Sequence, residues 1–427
     1  MREHRAIGAD PRRTALLELY AAASAAVDGR RAVAAALATT PGGEPWSLLA
    51  LGKAAGAMAL GALDVLGAHV RRGLVVTRAG HLDAELGAWR QLVCVEGDHP
   101  VPGARSLAAG AAVLAFAAAT PPAERVLVLI SGGASSLVES LPATVTPADL
   151  ARLNDWGLAS GRPITELNAL RRRISRLKDG RLAALLAAAR AEALLISDVP
   201  EDDPAVIGSG LVAAAPPAPL PPGLPDWLLA LVAADHSLGA GASMPARVVA
   251  SIDDACAAVE RTADTMGLTA RRLVPRATGD AERAASRYAH ELALGTDDVL
   301  LWGGETTVRL PPEPGRGGRS QHFALAAARL LAGHHDLVML AAGTDGSDGN
   351  SDDAGAIVDG GTIARGREAG FDVDQTLAAA NAGCFLEASG DLLHTGPTGT
   401  NVGDLVLGLR RPPPLADDAD GGQAVGS

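Results

Sequence analysis

The sequence predicts an α/β protein of two domains built on parallel sheets, and three observations predict it. The chain has 427 residues, too many for one ordinary domain and comfortable for two. Hydrophobic residues make up 48% and charged residues 20%, which suits a chain that buries large cores and does not suit a disordered one. A short apolar run passes repeatedly into a Gly-rich or acidic turn and then a helix, the pattern of buried strands crossed by Ala/Leu-rich helices.

Taken in order, the strands and turns are these. Met1 to Arg13 is charged and lacks the apolar stretch of a signal peptide. Ser47–Leu51 runs into Gly52-Lys53. Leu107 to Ile130 is apolar enough to raise a membrane span, but Pro121, Pro122, Glu124 and Arg125 interrupt it. It reads as a helix, a turn and the strand Arg125–Ile130, ending at Ser131-Gly132-Gly133. Ala193–Ile196 runs into Ser197-Asp198, Asp298–Trp302 into Gly303-Gly304-Glu305, and Leu337–Ala342 into Gly343-Thr344-Asp345. In parallel sheets ligands collect beyond the C-terminal strand ends, where all five turns are expected. The stretch 213–225, AAAPPAPLPPGLP, is too Pro-rich for helix or central strand and reads as an interdomain linker or a long surface loop. The expected division is an N-terminal domain over 10–242, a C-terminal domain over 243–412 and a flexible tail over 413–427.

Composition excludes several functions. A net charge of −12 argues against general nucleic-acid binding, so any anion site must gather its cations locally. Cys94, Cys256 and Cys384 are too scattered for a disulfide framework or a zinc pattern. With aromatics at 3%, Leu, Val, Ile and Ala are expected to fill the cores. Of 37 cationic residues only Lys53 and Lys178 are lysines, which makes both candidates for positions where a compact ammonium is needed, against chance survival on the surface. Asparagine is also scarce, and Asn168, Asn350 and Asn401 fall inside motifs.

Those motifs carry the chemistry. The turn Ser131-Gly132-Gly133-Ala134-Ser135 can offer backbone N–H groups and hydroxyls to a phosphate or carboxylate, although any tight turn needs glycine. It is neither a Walker A loop nor a dinucleotide fingerprint. Lys53 at a strand-to-helix junction projects toward a ligand, against the alternative of an exposed lysine in a first helical turn. His99 in Asp98-His99-Pro100 can bind substrate or cap the following loop, the cap being the slightly preferred reading. Asn168, Arg171 and Lys178 lie in NALRRRISRLKDG, the most basic place in an acidic chain, which points to an anion or to a solvated basic helix. Asp198 at a strand end can bind Mg²⁺, take a hydroxyl proton or simply cap. Glu305 and then Gly315 to Gln321 read as a hairpin with a flexible Gly/Arg tip, where Arg319 suits a phosphoryl group in flight. Asp345 and Asp348 form a second acidic turn, and Thr398 and Asn401 lie in a third polar loop. Cations, carboxylates and Gly-rich turns together are the parts of phosphoryl transfer.

The ordered motifs LGKAAGAM (51–58), GDHPVPGARS (97–106), LVLISGGASSL (127–137), NALRRRISRLKDGRLA (168–183), LISDVPEDDPAVIGSG (195–210), GGETTV (303–308), GRGGRSQHFALA (315–326), GTDGSDG (343–349) and GDLLHTGPTGTNVGDL (390–405) resemble the glycerate kinases with a MOFRL C-terminal domain. Most of these are glycerate 2-kinases, and some are labelled hydroxypyruvate reductases. The resemblance implies a larger Rossmann-like N-terminal domain, a smaller C-terminal α/β domain and a cleft between them. It implies ATP and Mg²⁺, and transfer of the γ-phosphoryl group to the 2-hydroxyl of D-glycerate. It assigns catalysis to Lys53, Asp198 and Arg319, and metal binding to Asp198, Asp345 and Asp348. Substrate or nucleotide binding falls to Ser131, Gly132, Gly133, Ser135, Asn168, Arg171, Lys178, Glu305, Asp345, Thr398 and Asn401. The expected protein is cytoplasmic, a monomer or homodimer, with no nucleic-acid or membrane partner. The chain departs from the family pattern at Ala134 for Gly, Ser320 for Asn and His322 for Glu. A kinase for a related 2-hydroxy acid and a non-catalytic binding protein are the alternatives. A reductase requires a dinucleotide fingerprint that is not evident.

Overall fold

The computed structural model describes residues 10–40, 43–160, 162 and 164–410. The expected tail over 413–427 lies outside them. The described chain forms two compact units. One comprises residues 27–251 with 399–402, and the other residues 10–26, 252–398 and 403–410.

The first unit is built on six parallel strands, β1 (Trp46–Leu51), β2 (Val70–Arg78), β3 (Leu92–Gly97), β4 (Arg125–Ile130), β5 (Arg190–Ile196) and β6 (Ala246–Ala250), in the order β3-β2-β1-β4-β5-β6. Every residue of β1 is buried, as is every residue of β4 after Arg125, because helices cover both faces of an internal parallel strand. Strand order reverses between β1 and β4, the point where such sheets open a crevice at their C-terminal edge. The stretch 107–130 contains the end of the helix Ala104–Ala118, a turn and β4. Among the described residues no helix is long and apolar enough to cross a membrane.

The Pro-rich stretch belongs wholly to this first unit and is a surface loop. Ala214 N–H donates to Ser243 Oγ at 3.2 Å, and the guanidinium of Arg173 donates to Ala218 O at 2.9 Å. Beyond the loop the helix Asp226–Ala233 packs Leu228 and Val232 onto Leu150, Leu153 and Leu170.

The second unit holds seven further strands: β7 (Ala270–Arg272), β8 (Ala277–Asp280), β9 (Val299–Thr307), β10 (Val338–Gly343), β11 (Gly355–Asp359), β12 (Leu392–Leu393) and β13 (Asp404–Leu409). Their order is β12-β11-β10-β13-β9-β7, with β8 also on β9. Only the pairs of β9 with β7 and β8 are parallel, which corrects the expectation of a second parallel sheet. Gly303-Gly304-Glu305 is correspondingly inside β9 and not a turn beyond it. Gly304 has φ +155°, and a β-carbon there would stand 2.2 Å from Ala277 O, so glycine admits the neighbouring strand. Aromatic residues are few but concentrated. Tyr288 stacks on Trp302 at 6.4 Å and meets Phe323 edge-on at 6.0 Å, contacts worth about 0.5–1.5 kcal/mol each beyond burial.

The units depart from the expected boundaries at both ends. Strand β6, over 246–250, completes the first sheet, and the helix Pro11–Ala26 belongs with the second unit. The helix is held there by its buried face, Leu16, Leu19, Tyr20 and Ala23, by Tyr20 OH donating to Gly343 O at 2.7 Å, and by an ion-pair cluster. Arg13 reaches Asp359 and, at 2.7 Å, Asp391, while Arg365 binds the same two carboxylates. Burial pushes the Asp359 carboxyl up, but Arg365 and Arg13 outweigh it and hold the group down at about 2. A depressed folded-state value stabilises the fold above the ordinary aspartate range, and the gain is lost as pH falls toward 2. The expected result is an acid limb between pH 4 and 2 worth on the order of 2 kcal/mol, flattened in Asp359→Asn. Unfolding free energies measured across that range check it; parallel limbs in the two proteins contradict it.

Candidate active site

Three sequence-predicted segments meet at the C-terminal edge of the first sheet, where β1 and β4 part. Gly52, at φ +129°, lets the chain turn against Ser131: a β-carbon on it would lie 2.2 Å from Ser131 Oγ. Ser131 Oγ then accepts the Ala54 N–H at 3.0 Å, and Lys53 N–H donates to Gly132 O at 3.0 Å. Ser131 is fully buried, and its hydroxyl ties the two turns together. Lys53 and His99 both lie against Gly133, whose φ is +82°. A β-carbon there would stand 3.0 Å from Lys53 Cγ and 3.3 Å from His99 Cδ2. His99, for which the sequence left both substrate binding and a loop cap open, therefore lies in this cluster. A lone histidine in a Pro-rich turn carries no signal that distinguishes the two roles.

Asp198 follows β5, and Asn401 donates to its Oδ2 at 3.3 Å. Both converge on Gly132, where a β-carbon would come within 2.0 Å of Asp198 Oδ2 and 1.9 Å of Asn401 Nδ2. Only glycine fits. Ser135, one turn further on, shares a hydrogen bond of 2.7 Å with Ser209. Lys53, Asp198 and His99 are each half-buried, so their side chains are reachable from solvent.

The basic segment behaves differently from the expectation. Lys178 has no exposed surface and pairs with Glu139, which sequence reasoning did not single out. Its ammonium is a counter-ion inside the fold. Glu139 also accepts Ser175 Oγ–H at 2.6 Å and Ser140 N–H at 2.9 Å, so its oxygens are fully used. Arg172 donates to Ala205 O at 2.8 Å, and Arg181 to the carbonyls of Arg172, Ser175 and Lys178 at 2.9–3.1 Å. Arg172, Arg173 and Arg181 thus clamp backbone. Asn168 and Arg171 remain together, Arg171 Nη1 lying 3.5 Å from Asn168 Oδ1.

In the second unit Arg319 opens the helix Arg319–Leu331. Its guanidinium grips Asp404 at 2.6 and 3.1 Å and also reaches Glu305. Burial works to lower its pKa, but the charges of Asp404 and Glu305 raise it well above the usual arginine value. Asp404, at the start of β13, is the partner that sequence reading missed. Asp348 is buried and accepts Gln321 N–H at 2.7 Å and Ser320 N–H at 3.1 Å, capping that helix. Burial first, then the charge of Asp404, pushes the Asp348 carboxyl up to about 7. Asp345 accepts Ser347 N–H at 3.0 Å within its own turn, and Thr398 Oγ1 donates to Thr344 O. Ser320, whose buried hydroxyl has no partner among the described residues, lines a small pocket with Gly304, Thr306, Phe323, Asp404 and Val406.

The Gly/Arg tip is not loose. Asn350 Oδ1 accepts Gly317 N–H at 2.8 Å, and its amide donates to Gly315 O at 3.1 Å. Asn381 Oδ1 accepts Arg316 N–H at 2.9 Å. Among the described residues no group of three or more His, Cys, Asp or Glu side chains is placed to hold a metal ion.

This arrangement defines a class: an α/β protein with a half-buried lysine and carboxylate at the strand-order reversal of a doubly wound sheet. The particular family follows from comparison. The profile of a domain of unknown function, DUF4147, matches residues 15–219, and the MOFRL family profile matches residues 298–404. D-glycerate 2-kinase of Thermotoga maritima is 34% identical, covering 85% of this chain and 90% of its own length. Human glycerate kinase is 30% identical, over 86% of this chain and 84% of its own. A protein of Agrobacterium vitis provisionally named hydroxypyruvate reductase is 37% identical, over 84% of this chain and 97% of its own. The crystal structure of the Thermotoga maritima glycerate kinase superposes with a TM-score of 0.76 at 31% identity, over 93% of this chain and 99% of that one. The chain belongs to the glycerate 2-kinase family.

Proposed function

We propose that the protein is an ATP-dependent kinase that transfers the γ-phosphoryl group to the 2-hydroxyl of D-glycerate, giving 2-phosphoglycerate and ADP. The observation that carries this reading is the convergence of Lys53, Asp198 and the Ser131–Gly133 turn where β1 and β4 part. Kinase-named relatives along nearly the whole chain support it.

Lys53 is assigned to hold anionic oxygens of the substrates, as a compact ammonium does. Asp198 is assigned to receive or orient the hydroxyl proton, or to hold the metal. Arg319 is assigned to the same reaction through its place in the family motif. Bound Mg-ATP supplies the phosphoryl group and neutralises its charge. Asp198, a half-buried carboxylate beside a glycine turn, fits Mg²⁺ held mainly by phosphate oxygens and water. Asp348 fits poorly, because it is buried and burial with the charge of Asp404 pushes its carboxyl up to about 7, whereas a metal ligand must be ionised.

The reading also sets the cost of filling position 132. Gly132→Ala is expected to lose roughly 1–3 kcal/mol of stability through overpacking and to lower kcat/KM at least tenfold by displacing Asp198 and Asn401. Steady-state kinetics beside a melting curve check it, and unchanged kinetics would detach those two side chains from the reaction.

The reductase name on the 37% relative motivates one control. Two assays run in parallel test the proposal: ADP release from Mg-ATP with D-glycerate, and NADH or NADPH oxidation with hydroxypyruvate. ADP release alone supports the kinase; oxidation without ADP release overturns it.

A further inference from the structure

Four buried side-chain atoms between Arg316 and His322 have no hydrogen-bond partner among the described residues: Arg316 Nε, Ser320 Oγ, Gln321 Oε1 and His322 Nδ1. Arg316 Nε and Gln321 Oε1 lie against Gly383, within 3.1 Å of where its β-carbon would stand, and His322 is turned toward Glu282, 3.5 Å from its Nε2. Ser320 is the one of the four that lines the small pocket of the second unit. It is 3% exposed, so its hydroxyl is cut off from bulk solvent, a costly state for a polar group without a partner.

The pocket has room for about one water molecule. Gly304 and Ala341 leave the space because their side chains are absent or small; Phe323 and Val406 give it apolar walls, and Thr306 and Asp404 polar ones. Asp404 sets the chemistry of the occupant. Its two oxygens accept from Arg319 at 2.6 and 3.1 Å, one bond each, and a carboxylate has about four acceptor sites, so it can still accept from a donor in the pocket. An anion there would meet the charge of Asp404. A second cation would share that carboxylate with Arg319. A neutral hydroxyl does neither: it donates to Asp404 and accepts from Ser320 Oγ–H. The helix backbone does not compete for it, because Asp348 already takes the N–H groups of Ser320 and Gln321.

We infer that the pocket at Ser320 is a subsite for one neutral hydroxyl group, held between Ser320 and Asp404. Two sources supply that chemistry: a water molecule, or the terminal hydroxyl of a small hydroxy acid. A pocket of this size admits the end of such a ligand and not its body. The second source rests on the kinase reading, and there Ser320 becomes a specificity residue, favouring D-glycerate over D-lactate, which lacks the 3-hydroxyl. The subsite itself does not rest on that reading.

Two measurements on the full chain test it. The first is a crystal structure of the parent, free and with D-glycerate, at a resolution that shows ordered waters, beside melting curves of the parent and Ser320→Ala. An oxygen is expected within hydrogen-bond distance of both Ser320 Oγ and Asp404, with the melting temperature of the variant unchanged or lowered by a few degrees. A serine that is merely unsatisfied gives the opposite, because alanine then removes a buried group without a partner and raises the melting temperature. No oxygen in either crystal, or a raised melting temperature in Ser320→Ala, overturns the inference. The parent crystals decide the matter alone if Ser320→Ala does not fold. The second measurement is calorimetric titration with D-glycerate and D-lactate, which needs no turnover. If the acceptor fills the subsite, Ser320→Ala weakens D-glycerate by roughly 3–10-fold and leaves D-lactate unchanged. An unchanged preference assigns the site to water. A parent that shows the oxygen but binds neither acid refutes the kinase reading and leaves the subsite standing.

Discussion

Lys53→Ala is expected to lower kcat/KM by about 10²–10³-fold, the loss typical of removing one group that meets transition-state charge. Folding is expected to survive. The backbone of Lys53 is fixed by bonds that alanine keeps, its N–H donating to Gly132 O and its carbonyl accepting from Thr77 Oγ1 at 3.3 Å. The side chain is only half-buried, so little packing is lost with it. Initial rates and a melting curve on the same preparation check both halves. Near-normal kinetics would remove Lys53 from the reaction, and a collapse in stability would make it a structural lysine.

Lys178 is expected to give the opposite result. Lys178→Met strands the carboxylate of Glu139 in a fully buried place and is expected to cost about 3–5 kcal/mol, the range for breaking a buried pair from one side. The melting temperature then falls by on the order of 10 °C. Adding Glu139→Gln removes the stranded charge while keeping an acceptor for Ser175 and Ser140, so the double variant is expected to recover part of the loss. Denaturant titrations of the single and double variants measure the coupling. Additive losses would show that the two side chains do not act as a pair.

The contrast between the two lysines explains what sequence can carry. Scarcity of lysine marks places where an ammonium is needed, but a ligand and an internal carboxylate create the same need. Glu139 lies 39 residues from Lys178, and nothing local connects them. The basic run around Arg171 failed as a wholesale anion site for a similar reason. Guanidinium groups also satisfy backbone carbonyls, as Arg172, Arg173 and Arg181 do. Scarcity of asparagine does not separate ligand sites from structural clamps either. The three in motifs all make clamps, and so do the remaining two, Asn154 and Asn381.

Three of the six strands of the first sheet were legible, β1 and β4 almost to the residue and β5 in its buried half, because buried parallel strands leave short continuous apolar runs ending in glycine or acid, whereas β2, β3 and β6 carry more exposed or polar positions and were not singled out. The same signal located β9 and β10 but not their direction, since a central antiparallel strand covered on both faces reads identically. Glycines inside β9 passed for a turn because the close approach of Ala277 is a tertiary fact. The placement of the first helix depends on long-range contacts, among them Arg13 meeting Asp359, 346 residues away, and Tyr20 meeting Gly343, which no local pattern encodes. Asp404 escaped notice as an ordinary acid opening a strand, although it is the bidentate partner of Arg319.

The most direct test of the central claim is NMR of the product formed from Mg-ATP and D-glycerate by the full chain. The account predicts a phosphorus resonance coupled to the C2 proton, growing in step with ADP and absent from Lys53→Ala on the same time scale. A product phosphorylated at C3, or folded protein that forms no phosphorylated product, would contradict it.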